Sequence, residues 1–354
     1  MVRREKKMLN KVIINQKTKL IVDLNIRPED KKIVIGTKPG EDQEYIDMLA
    51  NLIYAKADII PTVIVTPRKA GYTYNQGGAG RLPTGEVGLS EVAMAAFKSA
   101  DLLFLVGLGT AHATERIEIW EAGCRTVEMG HDRKVDGLSN QTMNDIFEIK
   151  KRCSVYEKLL NESRSFHLTS DAGTDLTGSI EDKLYYSLHS IAEGIANHGN
   201  AFYAETMGCP VEGTTEGIFV PDCIGYIGRV GPLIFKEPMK IIIKKGLVVD
   251  AEGSREAKIF KRMILECSDP NARNIAEMSV GTYSREKSRY TDDVEDVKLT
   301  SGATHIAFGD NHAIGSHPKI RGKVSSILHV DAAELNATLK LDGKTVIEKG
   351  KLLF

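Results

Sequence analysis

The sequence predicts an α/β chain in which a doubly wound parallel-sheet domain is followed by an α+β domain. Two observations carry this. Up to Met129, short apolar runs alternate with amphipathic stretches, the pattern of a parallel sheet covered by helices on both faces. Beyond Arg164 that alternation gives way to hairpin signals with a single helical stretch among them. A chain of 354 residues is long enough for both parts to bury a core.

The elements follow in order. Lys32-Ile33-Val34-Ile35-Gly36 reads as a strand, and Glu41 to Ala57 as a helix with Ile46, Leu49, Leu52 and Ile53 at helical spacing. Thr62-Val63-Ile64-Val65 is the next strand, before a helix around Ser90 to Ser99 and the strand Leu102-Leu103-Phe104-Leu105-Val106. A helix from about Ala113 to Glu121 and the strand Arg125-Thr126-Val127-Glu128-Met129 continue the alternation. After Arg164, Phe166-His167-Leu168-Thr169 and the turn Gly173-Thr174-Asp175-Leu176-Thr177 read as the entry to a β-hairpin. Lys240 to Asp250 reads as two strands about Lys245-Gly246, one helix spans roughly Ser254 to Cys267, and Leu341-Asp342-Gly343-Lys344 signals a closing hairpin. The expected domains are 1–164, α/β, and 165–354, α+β and metal-binding. No internal repeat or low-complexity tract is visible.

Composition narrows the classes. A formal net charge of -1 argues against a nucleic-acid or anionic-membrane partner recognised by bulk charge. The 5 cysteines are widely spread and form no CxxC pair, which fits reduced thiols better than a disulfide framework or a zinc knuckle. No apolar run approaches the ~18–20 residues that span a bilayer. The basic start Val2-Arg3-Arg4-Glu5-Lys6-Lys7 has no signal-type apolar segment behind it. A soluble, cytoplasmic protein is expected. Gly107-Leu108-Gly109 lacks the third glycine of a dinucleotide fingerprint and no GxxxxGK[ST] occurs, so a nucleotide site is not expected. The glycine-rich Asn75 to Arg81 reads as a mobile loop, with an active-site lid as the alternative.

The chemistry gathers near the C-terminus. Thr304-His305-Ile306-Ala307-Phe308-Gly309-Asp310-Asn311-His312 and Leu328-His329-Val330-Asp331 bring three histidines and two aspartates into a strand-like setting. A period of two puts His329 and Asp331 on one strand face, aimed at a common point. Glu216, in Gly213-Thr214-Thr215-Glu216-Gly217-Ile218-Phe219-Val220-Pro221, and Glu277, in Ala276-Glu277-Met278-Ser279, add carboxylates. These N and O donors, without a thiolate, suit zinc, cobalt, manganese or ferrous iron. Each residue also has a plainer reading: a hydrogen-bonded core histidine for His305, a loop residue for His312, a solvated edge carboxylate for Glu277 or Glu216. His112, after a predicted strand, stands where open α/β sheets gather ligand loops. His131, His167, His189 and His198 have no evident partners.

Over roughly residues 165–335 the order of motifs resembles the aminopeptidase T family of metal-dependent aminopeptidases. The matching pieces are Gly173-Thr174-Asp175-Leu176, Glu216 to Pro221, Ala276-Glu277, His305 to Gly309, and His329-Val330-Asp331. The resemblance implies a hydrolase with two divalent ions (zinc, cobalt or manganese) held by Glu216, Glu277, His305, His329 and Asp331, the last as bridge. It further implies a metal-activated water attacking an amide or N-terminal peptide bond, Glu216 and His312 in catalytic roles, and a homodimer acting on a short peptide or other small molecule. The family commonly carries a tyrosine seven residues beyond the strand histidine, where this chain has His312. The sequence is also similar to the dihydroxypyridine ring-cleaving dioxygenases, which hold ferrous iron with two histidines and an aspartate. His329 and Asp331, with His305 or His312, would supply that set. Glu277 favours the hydrolase, and a non-catalytic binding protein on the same fold is the third class.

Overall fold

The computed structural model describes residues 2–66, 89–107, 113–129, 142–225, 233–235, 237–283, 297–312, 314, 317 and 319–354. By contact the chain divides into two compact units. The first takes in the described residues up to Glu148 and then Leu188–Tyr203; the second takes in Ile149–Ser187 and Ala204–Phe354. Among the described residues a single cut after residue 164 differs from the contact division at two stretches. Ile149 to Arg164 falls with the second unit, and Leu188–Tyr203 returns to the first. Asn75 to Arg81, Leu108 to His112 and His131 lie outside the described residues.

The first unit is doubly wound. Its elements are α1 (Val2–Asn25), β1 (Ile33–Thr37), α2 (Gln43–Ala57), β2 (Thr62–Val65), α3 (Glu91–Ser99), β3 (Leu102–Val106), α4 (Ala113–Glu121) and β4 (Arg125–Met129). Helix α5 (Met143–Asn161) begins here and ends in the second unit. Strands run parallel in the order β2-β1-β3-β4, and the alternation of β1 and β3 feeds two cores. Ile33, Ile35, Leu102 and Phe104 pack with Leu49 and Ile53 of α2 and Ile21 of α1. Val34, Leu103 and Leu105 pack on the opposite face with Phe97 of α3 and Ile119 of α4. Ser90 caps α3 by accepting the Ala93 N–H at 3.2 Å, and Asp42 caps α2 by accepting that of Glu44 at 3.0 Å.

The strands after α5 are β5 (Ser165–Thr169), β6 (Asp175–Ser179), β7 (Tyr186–His189), β8 (His198–Asn200, in the first unit), β9 (Ala204–Gly208), β10 (Glu216–Phe219), β11 (Cys223–Ile224), β12 (Leu233–Ile234), β13 (Lys240–Lys244), β14 (Leu247–Glu252), β15 (Ile275–Gly281), β16 (Thr304–Gly309), β17 (His329–Glu334), β18 (Thr338–Leu341), β19 (Lys344–Glu348) and β20 (Lys351–Leu352). Of these, β8 joins the parallel sheet of the first unit beside β4. The rest form an eight-stranded sheet, β14-β13-β10-β6-β5-β18-β19-β20, and a seven-stranded sheet, β12-β11-β17-β16-β15-β9-β7. One core holds Phe166, Leu176 and Ile241 of the first with Met278, Ile306 and Val330 of the second. The single expected helix is α6 (Arg255–Phe260), which continues as a π-helical turn over Lys261–Leu265. Among the described residues no helix is long and apolar enough to cross a membrane.

Candidate metal centre

Strand alternation separates core from site on the seven-stranded sheet. Met278, Val280, Ile306, Phe308, Val330 and Ala332 face the hydrophobic core, so their neighbours Glu277, Ser279, His305, His329 and Asp331 face the other way. Pairing sets them in rows: Glu277 opposite Ala307 and then Asp331, Ser279 opposite His305 and then Ala333, Gly309 opposite His329, and Gly281 opposite Glu205. Each long polar side chain thus has an alanine, serine or glycine beside it, which leaves room for the functional ends to converge. Two glycines are required by the backbone. Gly309 has φ +104 and a Cβ there would lie 2.1 Å from the Leu328 carbonyl oxygen. A Cβ on Gly281 would lie 2.5 Å from the carbonyl oxygen of Lys298, so this glycine lets the Lys298–Thr300 segment cross the strand closely.

Glu277 is the hub. His305 Nε2 lies 2.9 Å from Glu277 Oε1 and 3.6 Å from Glu205 Oε2. His329 Nε2 lies 3.3 Å from Glu277 Oε2 and 3.2 Å from Asp331 Oδ1. Ser279 Oγ donates to Glu277 Oε1 at 2.6 Å, and Lys298 Nζ donates to Asp331 Oδ2 at 2.6 Å. Among the described residues the potential metal-ligating groups are Glu205–Glu277–His305 and Glu277–His329–Asp331. His329 differs from His305 in how its second nitrogen is held. Its Nδ1 donates to the Asp310 carbonyl at 2.7 Å, which turns Nε2 toward the carboxylates. His305 Nδ1 is buried with no hydrogen-bond partner, as are Glu205 Oε2 and Asp331 Oδ1.

Burial and charge work against each other throughout. Burial alone would raise Glu277, but its hydrogen bonds with His305 and His329 bring it down to about 2. Burial would likewise raise Asp331, yet the Lys298 ammonium and then His329 hold it well below the usual carboxylate range. For His329 the desolvation that favours the neutral ring is outweighed by Asp331 and Glu277, and for His305 by Glu277 and Glu205, so both rings are shifted up. Glu205 goes the other way: burial pushes it up to about 7 despite Lys298 and His305.

The structure brings together Glu277, His305, His329 and Asp331, and it leaves out Glu216. That carboxylate is exposed on β10 of the eight-stranded sheet, where Oε1 accepts the Lys245 N–H at 2.7 Å and serves a turn. The Gly-bounded turn at Glu216 is thus structural, and the carboxylate that stands beside Glu277 is Glu205 on β9. Its signal was a lone acid in the fully buried run Ala204-Glu205-Thr206-Met207-Gly208. His312 is half-buried in a turn past β16 and lies in neither ligand group. Asp331 serves one group, so the shared position belongs to Glu277 instead. The Gly173-Thr174-Asp175-Leu176 piece has a structural use: Thr174 Oγ1 donates to buried Glu334 at 2.7 Å and accepts the Val220 N–H at 2.9 Å.

These features define a two-unit α/β protein with a buried histidine–carboxylate cluster, a candidate metal centre, on an antiparallel sheet. The family model for NicX, 2,5-dihydroxypyridine 5,6-dioxygenase, matches residues 19–354, and the chain belongs to that family. The 2,5-dihydroxypyridine 5,6-dioxygenase of Pseudomonas putida KT2440 is 24% identical over 270 residues, which cover 74% of this chain and 73% of the relative. The solved 2,5-dihydroxypyridine dioxygenase from Pseudomonas putida KT2440 superposes with a TM-score of 0.74 at 18% identity, covering 96% of each chain. Wild-type AmpT from Thermus thermophilus superposes with a TM-score of 0.63 at 17% identity, covering 97% of this chain and 100% of the other. At such identities the structures share the fold, and both expected resemblances find a counterpart. The expected metallohydrolase function is overturned, because the family match and the sequence relative both carry the dioxygenase description. Glu277 had favoured hydrolysis, but a carboxylate ligand is compatible with either chemistry.

Proposed function

We propose that this chain is a ring-cleaving dioxygenase acting on a dihydroxylated N-heteroaromatic ring, with ferrous iron held by Glu277, His329 and Asp331. Family membership supplies the reaction class. The observation that carries the metal assignment is the meeting of three acceptor atoms, His329 Nε2, Glu277 Oε2 and Asp331 Oδ1, within 3.2–3.3 Å of contact on either side of the imidazole. With Nδ1–H donated to Asp310, Nε2 of His329 is turned toward two carboxylate oxygens, and a cation there would take the place of the proton this nitrogen otherwise shares with them. Asp331 Oδ1, 3.2 Å from that nitrogen and otherwise without a hydrogen bond, is placed to share the cation. This set departs from the expected two histidines and an aspartate, because Glu277, and neither His305 nor His312, joins His329 and Asp331; one imidazole and two carboxylates still suit a divalent first-row ion, ferrous iron among them.

Ferrous iron, when bound, supplies the open coordination positions and redox chemistry by which oxygen and an electron-rich ring can react. The protein's own residues do the rest. Glu277 and Asp331 supply negative charge in a site shielded from water, and Asp310 fixes the orientation of His329. Exposure rises from 0% at His305 and 2% at Glu205 to 10% at His329 and 14% at Asp331, so the ring enters from the His329–Asp331 side. Glu205, pushed up to about 7 by burial, is suited to hold a proton released from a ring hydroxyl near neutral pH, with His305 orienting it. Anaerobic loading with Fe(II), followed by 2,5-dihydroxypyridine in aerated buffer, tests the proposal. The expected result is uptake of one oxygen molecule per ring with loss of the aromatic absorbance. Absence of substrate-dependent uptake by iron-loaded protein would overturn it.

A further inference from the structure

The two ligand groups share Glu277, and geometry alone therefore offers places for two neighbouring cations. Lys298 changes that balance. Its Nζ lies 2.6 Å from Asp331 Oδ2, with side-chain exposures of 7% and 14%, so a fixed positive charge stands inside the carboxylate cluster. It arrives there because Gly281, lacking a Cβ, lets the Lys298–Thr300 backbone press against β15. Among the described residues of the cluster, Glu205, Glu277 and Asp331 bring at most three negative charges and Lys298 one positive. At most two negative charges remain, which one divalent ion neutralises. A second divalent ion would leave net positive charge buried beside an ammonium, which low-dielectric surroundings disfavour strongly.

We propose that Lys298 is a resident counter-cation that limits this centre to a single divalent ion, bound by Glu277, His329 and Asp331. Asp331 Oδ2 is committed to the ammonium, so Oδ1, the oxygen without a hydrogen bond, is the one offered to metal. The Glu205–Glu277–His305 group then remains free of metal, in keeping with the bare Nδ1 of His305, which lacks the outer-shell acceptor that His329 has in Asp310.

The role rests on the metal-centre assignment above, and Mn(II) alone serves as the probe. Metal-free protein is titrated with Mn(II), followed by elemental analysis of the separated protein and by electron paramagnetic resonance. Wild type and Lys298→Arg should each hold one ion with an uncoupled signal. Folded Lys298→Met should take up a second ion at least about tenfold more tightly than wild type, with an exchange-coupled signal. Two tightly held ions in wild type or in Lys298→Arg would overturn the proposal, as would a folded Lys298→Met whose second-ion affinity is unchanged. If Lys298→Met does not fold, the ion count of wild type and Lys298→Arg decides. One ion bound without ring cleavage would sink the dioxygenase reading and leave Lys298's role standing; ring cleavage with two ions would do the reverse.

Discussion

His198 in the first unit and His305 in the second are buried to nearly the same degree, at 4% and 0% exposure, yet their environments push them in opposite directions. His198 sits on β8 beside Trp120, with ring centroids 5.1 Å apart. Trp120 Nε1 donates to Thr126 Oγ1 at 2.7 Å, which leaves the threonine proton for His198 Nδ1 at 2.8 Å. Burial lowers this ring to about 4, and the distant Glu128 charge does not restore it. His305 loses water as fully but faces Glu277 and Glu205, and its ring is shifted up. Burial in itself says little about a histidine's role. The acids set across the strands make one a structural core residue and the other part of a charged centre.

The comparison is broken most severely by removing the acid that both groups of the second unit share. Glu277→Gln keeps shape and the Ser279 contact but deletes the charge that His305 and His329 both face. Affinity for Fe(II) or Mn(II) is expected to fall by at least about a hundredfold, measured by metal titration, with the circular dichroism spectrum retained. Metal affinity unchanged in this variant would remove Glu277 from the site.

A smaller effect sharpens the other half. His198 is lowered to about 4 in the folded chain against 6.5 for the ordinary ring. Below 6.5 the unfolded chain takes up a proton that the folded chain refuses. The stability tied to His198 is therefore complete above pH 6.5, falls as pH drops, and is spent by about pH 4. Between pH 7 and 5 wild type should lose about 2 kcal/mol more than His198→Gln, read from urea unfolding of both proteins. Equal losses would show that His198 is not held neutral. In the metal-free protein His305 and His329 carry the opposite sign, favouring the fold at low pH and losing that contribution as pH rises through their raised values.

Much of the first unit was legible because its signals are local. Ile33 to Thr37, Leu102 to Val106 and Arg125 to Met129 are short runs buried on both faces, and the helices between them show regular apolar spacing. Helix α5 escaped because Lys150, Lys151 and Arg152 interrupt a stripe whose members, Ile146, Ile149, Cys153, Tyr156 and Leu160, are all buried at helical intervals. Helix α1 was not read as a helix, because its start, Val2 to Lys7, was read only for its charge. In the site, His329 and Asp331 could be paired from sequence because they lie two residues apart on one strand. Glu205 and Lys298 could not, since they reach Glu277 and Asp331 only through the register of β9 on β15 and the close crossing at Gly281. Glu216 misled because a glycine-flanked acid looks the same whether it serves a turn or a metal.

The most direct measurement is anomalous diffraction at the iron edge from crystals of the Fe(II)-loaded protein grown without oxygen. A single peak within bonding distance of Glu277, His329 and Asp331, with Lys298 still on Asp331, is the predicted result. A peak between Glu205 and His305, or two peaks on either side of Glu277, would contradict it.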